Sequence, residues 1–255
     1  MSANPEDINQ DRLVSLKING QTYFANPDET ILEVSKRNSI EIPHLCYKEG
    51  MRPDGNCRVC MVEIEGERVL QPSCVRTVTD GMIINTSTER VNHSQKLVLE
   101  LLTSDVSEEV YTQDNELTTW ANKLQIQTHR FPSNIQDKCD TSHPAITVNL
   151  SACIQCTRCV RACREEQVND VIGYAHRGIK SEIVFDINDP MGESTCVGCG
   201  ECVQACPTGA LMPSKEVGLT IPDKKVESVC PYCGVGCLLT YNVKDNKILY
   251  TEGRD

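Results

Sequence analysis

The sequence has few aromatic residues, a deficit of positive charge and no long apolar run. Phe, Tyr and Trp make up 4% of its 255 residues, too few for an aromatic platform that stacks single-stranded nucleic acid. There are 25 Lys and Arg against 36 Asp and Glu, and the net charge of −11 disfavours a polyanionic partner. No run approaches the ~18 apolar residues of a membrane helix. We therefore expect neither nucleic-acid binding nor a membrane span.

Short motifs for nucleotide binding and hydrolysis are also missing. No GxGxxG, Walker loop, HExxH or catalytic-triad pattern occurs in the sequence. Such motifs supply the glycines that approach phosphates or the side chains that attack substrates. We therefore predict no catalytic residue in this chain and no residue that binds a nicotinamide or a flavin.

Cysteine, by contrast, is abundant, with 16 in the chain. Disulfides are the first explanation for so many cysteines, but they form in oxidising compartments. The chain starts with the polar, acidic segment MSANPED and shows no apolar signal segment. We expect a cytoplasmic protein, whose closely spaced cysteines bind metal or do redox work.

One cysteine pattern occurs twice in the second half of the sequence. CxxCxxCxxxC spans residues 153–163 and again residues 196–206. This is the run of bacterial two-cluster ferredoxins, in which the fourth cysteine of each run binds the other cluster. The implied [4Fe–4S] ligands are Cys153, Cys156, Cys159 and Cys206 for one cluster, and Cys163, Cys196, Cys199 and Cys202 for the other. Zinc is the alternative, but structural zinc sites use two cysteine pairs at long separation.

Another four cysteines, separated by ten, two and thirteen residues, precede this repeat. They are Cys46, Cys57, Cys60 and Cys74. The plant-type [2Fe–2S] pattern has only four residues in the first gap. The longer spacing resembles the [2Fe–2S] domain at the amino end of complex I's large iron–sulfur subunit, of NAD-linked formate dehydrogenases and of iron-only hydrogenases. A four-cysteine zinc site is the alternative, and we interpret nearby His44 as an ordinary loop residue.

The stretch VCPYCGVGC contains the last three cysteines, which are Cys230, Cys233 and Cys237. Alone it could be a three-cysteine zinc knuckle or an incomplete site. It closely resembles the start of the [4Fe–4S] domain of molybdenum- or tungsten-dependent formate dehydrogenases. The resemblance implies a fourth ligand beyond Asp255 for a third [4Fe–4S] cluster. It also implies a Mo/W-bis-pterin guanine dinucleotide, held by a missing portion or by a partner.

The segment between the [2Fe–2S] and ferredoxin patterns departs from this family. Many relatives bind a [4Fe–4S] cluster there, through one histidine and three cysteines that follow a Leu-Leu-x-Ser-Asp sequence. Here residues 101–105 keep that sequence. The corresponding ligand positions are occupied by Val106, Val110, Gln113 and Thr119. None of these binds iron as a thiolate or imidazole does, so we predict no cluster in the connector. Cys139 belongs to no motif and is interpreted as an ordinary thiol.

Local patterns indicate an α+β chain. Alternating residues around Asn19-Gly20 predict a hairpin over 13–24, Asp28 can cap a helix through about Ser39, and residues 58–69 indicate a second hairpin. A ubiquitin-like β-grasp fold explains these elements. The predicted segments are a [2Fe–2S] β-grasp domain at 12–88, a helical connector at 89–135, a two-[4Fe–4S] ferredoxin domain at 145–214 and the start of a molybdopterin-oxidoreductase [4Fe–4S] domain at 217–255.

The resemblance covers nearly the whole chain, in family order, and implies the electron-transfer arm of a formate dehydrogenase. Its partners would be a catalytic Mo/W-pterin portion and a flavin- and NAD-binding diaphorase subunit. By itself the chain would not be the catalyst. Two alternatives share the redox chemistry: a cluster module of a complex I-like subunit and one of an iron-only hydrogenase. A metal-stabilised interaction protein is the alternative from another class.

Overall fold

The computed structural model describes residues 13–107, 115–126, 128, 130–136, 138–214 and 222–254. The chain divides into two compact units. The first comprises Met1–Asp105, Glu116–Ser133 and Cys156–Arg161, and the second comprises Val106–Asn115, Asn134–Gln155 and Ala162–Asp255. The four domain ranges taken from the sequence stay predictions.

The first unit contains a five-stranded sheet and four helices. The strands are Val14–Ile18 (β1), Gln21–Ala25 (β2), Met61–Ile64 (β3), Gln71–Pro72 (β4) and Ile83–Asn85 (β5). The helices are Ile31–Arg37 (α1), Glu89–Ser104 (α2), Glu116–Lys123 (α3) and Arg158–Arg161 (α4).

The sheet begins with the hairpin expected at Asn19-Gly20. These two residues have φ angles of 51° and 83°, the left-handed conformation that Asn and Gly adopt most readily in a tight turn. The strand order is β2-β1-β5-β3-β4, and β1 runs parallel to β5 while its other partner β2 is antiparallel. Helix α1 contributes Ile31, Leu32 and Val34 to the buried core of this sheet. The arrangement is the β-grasp fold.

Two local predictions in this unit need correction. Thr30 rather than Asp28 caps α1, because its hydroxyl accepts a hydrogen bond from the amide of Glu33 while the Glu33 carboxylate accepts one from the amide of Thr30. This is a capping box. The second hairpin is longer than predicted, since β3 pairs with β4 at Met61↔Pro72. Residues 65–70 therefore form its connection and not its second strand.

The helices of the connector sequence pack beside this sheet. Helix α2 contacts both β3 and α3. Gln95 is buried on α2, and its side-chain amide donates a 3.0 Å hydrogen bond to the carbonyl of Met61. The bond satisfies a polar group that would be costly to bury unpaired. It ties α2 to the strand that directly follows Cys60.

The second unit is built of three small sheets and one short helix. Its strands are Cys139–Asp140 (β6), Ile146–Asn149 (β7), Ile172–Ala175 (β8), Glu182–Phe185 (β9), Leu211–Pro213 (β10), Lys224–Val229 (β11), Leu238–Lys244 (β12) and Lys247–Gly253 (β13). The helix is Glu201–Ala205 (α5), and a π-helical turn spans Ala162–Glu166. The sheets have the orders β10-β7-β6, β8-β9 and β11-β12-β13. Within the described residues, no helix combines the length and the apolar character needed to cross a bilayer.

Candidate metal centres

The β-grasp domain brings four cysteines together at one end of its sheet. Cys46 and Cys57 lie in the long loop between α1 and β3, and Cys60 is the residue before β3. Cys74 lies just after β4, and the amide of Ser73 donates a 3.0 Å hydrogen bond to the carbonyl of Cys60. Pairing of β3 with β4 therefore positions Cys60 next to Cys74, whereas the loop supplies the other two thiols.

The four thiols form one hydrogen-bonded group. Hydrogen bonds from Cys57 and Cys74 lower the pKa of Cys46. A hydrogen bond from Cys74 lowers the pKa of Cys60 to about 7. The pKa values of the two donors, Cys57 and Cys74, are raised because each shares its proton with a neighbouring sulfur and is partly removed from water. Two of the four sulfurs therefore hold negative charge readily, which suits a site that binds metal through thiolates.

The donor set fits a [2Fe–2S] cluster, because four thiolates are the ligands that this cluster type takes. The amide of Cys46 also donates a 3.4 Å hydrogen bond to the sulfur of Cys57, the kind of contact that tunes cluster potentials. Across the described residues, no three His, Cys, Asp or Glu side chains are arranged to hold a single metal ion. Assignment of the individual cysteines as ligands stays a prediction.

In the second unit, Cys163 lies near the cysteines of the other run. It is part of the π-helical turn Ala162–Glu166, which packs against α5, the helix that carries Cys202. Burial, followed by the negative charges of neighbouring thiolates, raises the pKa of Cys202 to about 12. Those neighbours are Cys196, Cys199, Cys163 and Cys206. This proximity supports the predicted exchange of the fourth ligand between the two runs.

Backbone amides surround the same sulfurs. The amide of Gly198 lies 3.4 Å from the sulfur of Cys196, and that of Val171 lies 3.4 Å from the sulfur of Cys163. Gly198 has a φ of +67°, which lets the loop turn its amide toward the sulfur at little steric cost. Amide donors stabilise sulfur that carries negative charge, so these loops suit [4Fe–4S] ligation.

The remaining ferredoxin cysteines are divided between the units. Cys156 and Cys159 belong to the first unit, and Cys153 and Cys206 to the second. Burial, with a further contribution from the charge of Cys206, raises the pKa of Cys153 to about 12. Assignment of these four residues to one cluster stays a prediction.

The three last cysteines lie on the loop that joins β11 to β12. The amide of Cys230 donates a 2.8 Å hydrogen bond to the carbonyl of Cys237, which closes the loop. Gly234 and Gly236 both have φ angles of +79°, a conformation that residues with a side chain rarely adopt. Cys233 and Cys237 are exposed. The loop thus presents three thiols on a small structured hairpin.

The structure describes two of the four connector positions. Thr119 lies on α3 and Val106 follows the end of α2, whereas Val110 and Gln113 lie outside the described residues. The prediction that the connector binds no cluster is untested. Cys139 is exposed on β6. His44 accepts or donates a 2.8 Å hydrogen bond with the carbonyl of Ile42 and is largely buried in its loop.

Sequence reasoning missed two arginines in the first unit. Arg158 and Arg161 on α4 are each only 3% exposed. Their guanidinium groups reach the cysteine loop of the β-grasp domain, where Arg161 donates to the carbonyl of Cys46 and Arg158 to that of Tyr47, both at 2.5 Å. Sequence alone shows two basic residues among cysteines, with no sign of partners more than 100 positions away.

Comparisons with protein families identify three segments of the chain. Residues 11–89 match the 2Fe-2S iron-sulfur cluster binding domain, residues 152–210 the 4Fe-4S dicluster domain and residues 223–255 the molybdopterin oxidoreductase Fe4S4 domain. The protein is therefore a multi-cluster iron–sulfur electron-transfer module. The [2Fe–2S] and [4Fe–4S] cofactors predicted from cysteine spacing are confirmed at this level, in place of zinc.

Its relatives are components and enzymes of redox metabolism. An NADH-quinone oxidoreductase subunit of Rhizobium meliloti (strain 1021) is 30% identical over 93% of this chain and 28% of the relative. The HndD subunit of the NADP-reducing hydrogenase of Solidesulfovibrio fructosivorans is 33% identical over 84% of this chain and 39% of the relative. A putative formate dehydrogenase of Staphylococcus haemolyticus (strain JCSC1435) is 27% identical over 95% of this chain and 29% of the relative.

A solved structure shows the same fold. A chain of an NAD+-reducing [NiFe]-hydrogenase in the H2-reduced state matches with a TM-score of 0.76 and 26% identity, over 82% of this chain and 90% of that chain. The chain is thus homologous to iron–sulfur subunits of NADH-quinone oxidoreductases and to formate dehydrogenases, as the motifs indicated. It spans less than two fifths of the length of each curated relative named above.

Proposed function

We propose that the chain is the electron-transfer arm of a formate dehydrogenase, connecting a Mo/W-pterin site with a flavin- and NAD-binding partner. The observation that carries this proposal is the match of residues 223–255 to the molybdopterin oxidoreductase Fe4S4 domain, directly after two ferredoxin-type domains. That order places a pterin-side segment at one end of the sequence and a [2Fe–2S] domain at the other.

The residues of the chain provide the conditions for one-electron transfer. Iron–sulfur clusters, when bound, accept and release single electrons. The cysteines of the β-grasp domain are mostly buried, with Cys46, Cys60 and Cys74 no more than 1% exposed, so water reaches them poorly. Amide hydrogen bonds to sulfur at 3.4 Å add fixed dipoles around the sites. Fixed dipoles and exclusion of water reduce the rearrangement that accompanies a change of charge.

Formate itself would react outside this chain. Its chemistry requires the pterin-bound metal, because the cofactor performs the bond-breaking step while protein supplies binding and orientation. We assign the residues that hold that cofactor to a catalytic portion outside these 255 residues. A cytoplasmic complex with a diaphorase subunit would then receive the electrons, and the direction would reverse if the potentials favoured CO2 reduction.

The test compares two electron acceptors in the assembled enzyme. Cys199→Ala or Cys156→Ala should abolish formate-dependent NAD reduction while sparing reduction of a dye that takes electrons near the pterin. Cys139→Ala is the matched control, because this cysteine is exposed and belongs to no motif. The chain alone should neither oxidise formate nor reduce NAD, although dithionite should reduce its clusters. Formate turnover by the isolated chain, or undiminished NAD reduction in both variants, would refute the proposal.

Hydrogenase and NADH-quinone oxidoreductase relatives define the second candidate. The structural similarity to the NAD+-reducing hydrogenase chain favours it. Under that assignment, formate would give no dye reduction in the assembled complex, whereas H2 or NADH would.

A further inference from the structure

We propose that Arg161, supported by Arg158, raises the reduction potential of the [2Fe–2S] cluster held by the β-grasp domain. Both residues lie in the cysteine run assigned to the ferredoxin domain, but their side chains end at the loop of another cluster. The inference rests on the [2Fe–2S] part of the proposed function and is independent of whether formate is the substrate.

Both arginine charges lie against the loop that carries Cys46. Arg161 donates one hydrogen bond to the carbonyl of Cys46 and another to the carbonyl of Arg52, both at 2.5 Å. Arg158 donates to the carbonyl of Tyr47, also at 2.5 Å. With both guanidinium groups almost fully buried, water screens them little. A fixed positive charge thus lies against the backbone of Cys46 itself.

The two charges are neutralised to different degrees. Arg158 forms a bidentate ion pair with Glu116, at 2.6 and 2.8 Å. Arg161 has no comparable pair among the described residues, because the Asp54 carboxylate lies 4.0 Å from its Nε. That carboxylate also accepts a 2.6 Å hydrogen bond from Thr157 and contacts Arg52 at 3.3 Å. Arg161 is therefore the less compensated of the two cations.

A positive charge at this place acts on the reduction of the cluster. Reduction of a [2Fe–2S] cluster adds one electron, and no proton is needed for the balance. A buried positive charge stabilises the reduced, more negative state over the oxidised one, which raises the potential. Hydrogen bonds to the Cys46 and Tyr47 carbonyls also offset dipoles whose negative ends lie beside the ligand loop. Both effects have the same sign, and both are strongest for Arg161.

The experiment is a potentiometric titration of the full chain with its clusters reconstituted. Dithionite supplies the electron, and the [2Fe–2S] EPR signal is followed. Arg161→Gln should lower the midpoint enough to change the reduced-to-oxidised ratio at least tenfold, which is 59 mV for one electron. Arg161→Lys keeps the charge and should shift the midpoint less than Arg161→Gln. Glu116→Gln leaves Arg158 uncompensated and should shift it upward by a smaller amount, because the carboxylate side chain is 41% exposed.

Arg90→Gln is the matched control. Arg90 also donates to a backbone carbonyl, that of Arg68, and contacts Glu63, but its side chain is 51% exposed. It should leave the midpoint unchanged. A purely structural role for the α4 arginines would not give opposite shifts in Arg161→Gln and Glu116→Gln.

The possible outcomes separate this inference from the proposed function. An Arg161→Gln midpoint equal to that of the unaltered chain would overturn the inference. If Arg161→Gln fails to retain the cluster, Glu116→Gln decides: an upward shift supports it, and no shift or a downward one refutes it. Absence of any [2Fe–2S] signal in the unaltered chain would overturn the cluster assignment as well.

Discussion

Removal of Cys163 tests the exchange of ligands between the two ferredoxin runs. Cys163 lies on the π-helical turn that packs against α5, and its charge acts on Cys202. We therefore expect Cys163→Ala to damage the cluster of the 196–202 loop, although Cys163 belongs to the run at 153–163. The loss should be about 4 Fe per chain, the content of one cube.

Double variants make the assignment quantitative. Ligands of one cluster act as a unit, so their losses should not add. Cys163→Ala combined with Cys199→Ala should still lose about 4 Fe, whereas Cys163→Ala combined with Cys156→Ala should lose about 8 Fe. Iron analysis and quantitative EPR of the reduced chain measure both results. Cys139→Ala is the control and should lose none.

The reverse pattern would refute the reasoning. If Cys163 binds the cluster of its own run, the combination with Cys156→Ala would cost one cube and that with Cys199→Ala would cost two. A loss of the [2Fe–2S] signal in Cys163→Ala would show that the substitution acts through folding and not through ligation.

Three further predictions concern stability and iron content. Thr30→Ala should destabilise the β-grasp domain by about 1 kcal/mol, since it removes the hydroxyl that accepts from the amide of Glu33; denaturant unfolding would measure this, and an unchanged midpoint would argue against the capping box. Burial lowers the pKa of His44, so the unfolded chain binds the proton more tightly and stability should fall as pH drops below about 6.5. His44→Asn should reduce that dependence of the melting temperature, and an identical dependence would contradict the assignment. With all three cysteines of the 230–237 loop replaced by Ala, total iron should be about 10 per chain, from one [2Fe–2S] and two [4Fe–4S] clusters; a value near 14 would reveal a cluster in the connector.

Several features followed from the sequence because they depend on neighbouring residues. The Asn19-Gly20 turn was predictable, since its φ angles are set by local sterics and suit these two residue types. Cysteine spacing likewise predicted the cluster types, because a cluster requires sulfurs at fixed separations on a tight loop. The capping box was equally local, and the pair of Thr30 and Glu33 was a readable signal for it.

Only the tertiary structure decided which distant groups meet. β4 pairs with β3 across a connection that turn signals near Glu65-Gly66 did not delimit. Arg158 and Arg161 show the same limit more sharply, because their carbonyl partners lie 111 and 115 positions earlier. Sequence specifies the charge of an arginine, but burial and the distance to its counter-ion set what that charge does to a neighbouring site. Those two quantities exist only once the chain has folded, because packing excludes the water that would otherwise screen the charge.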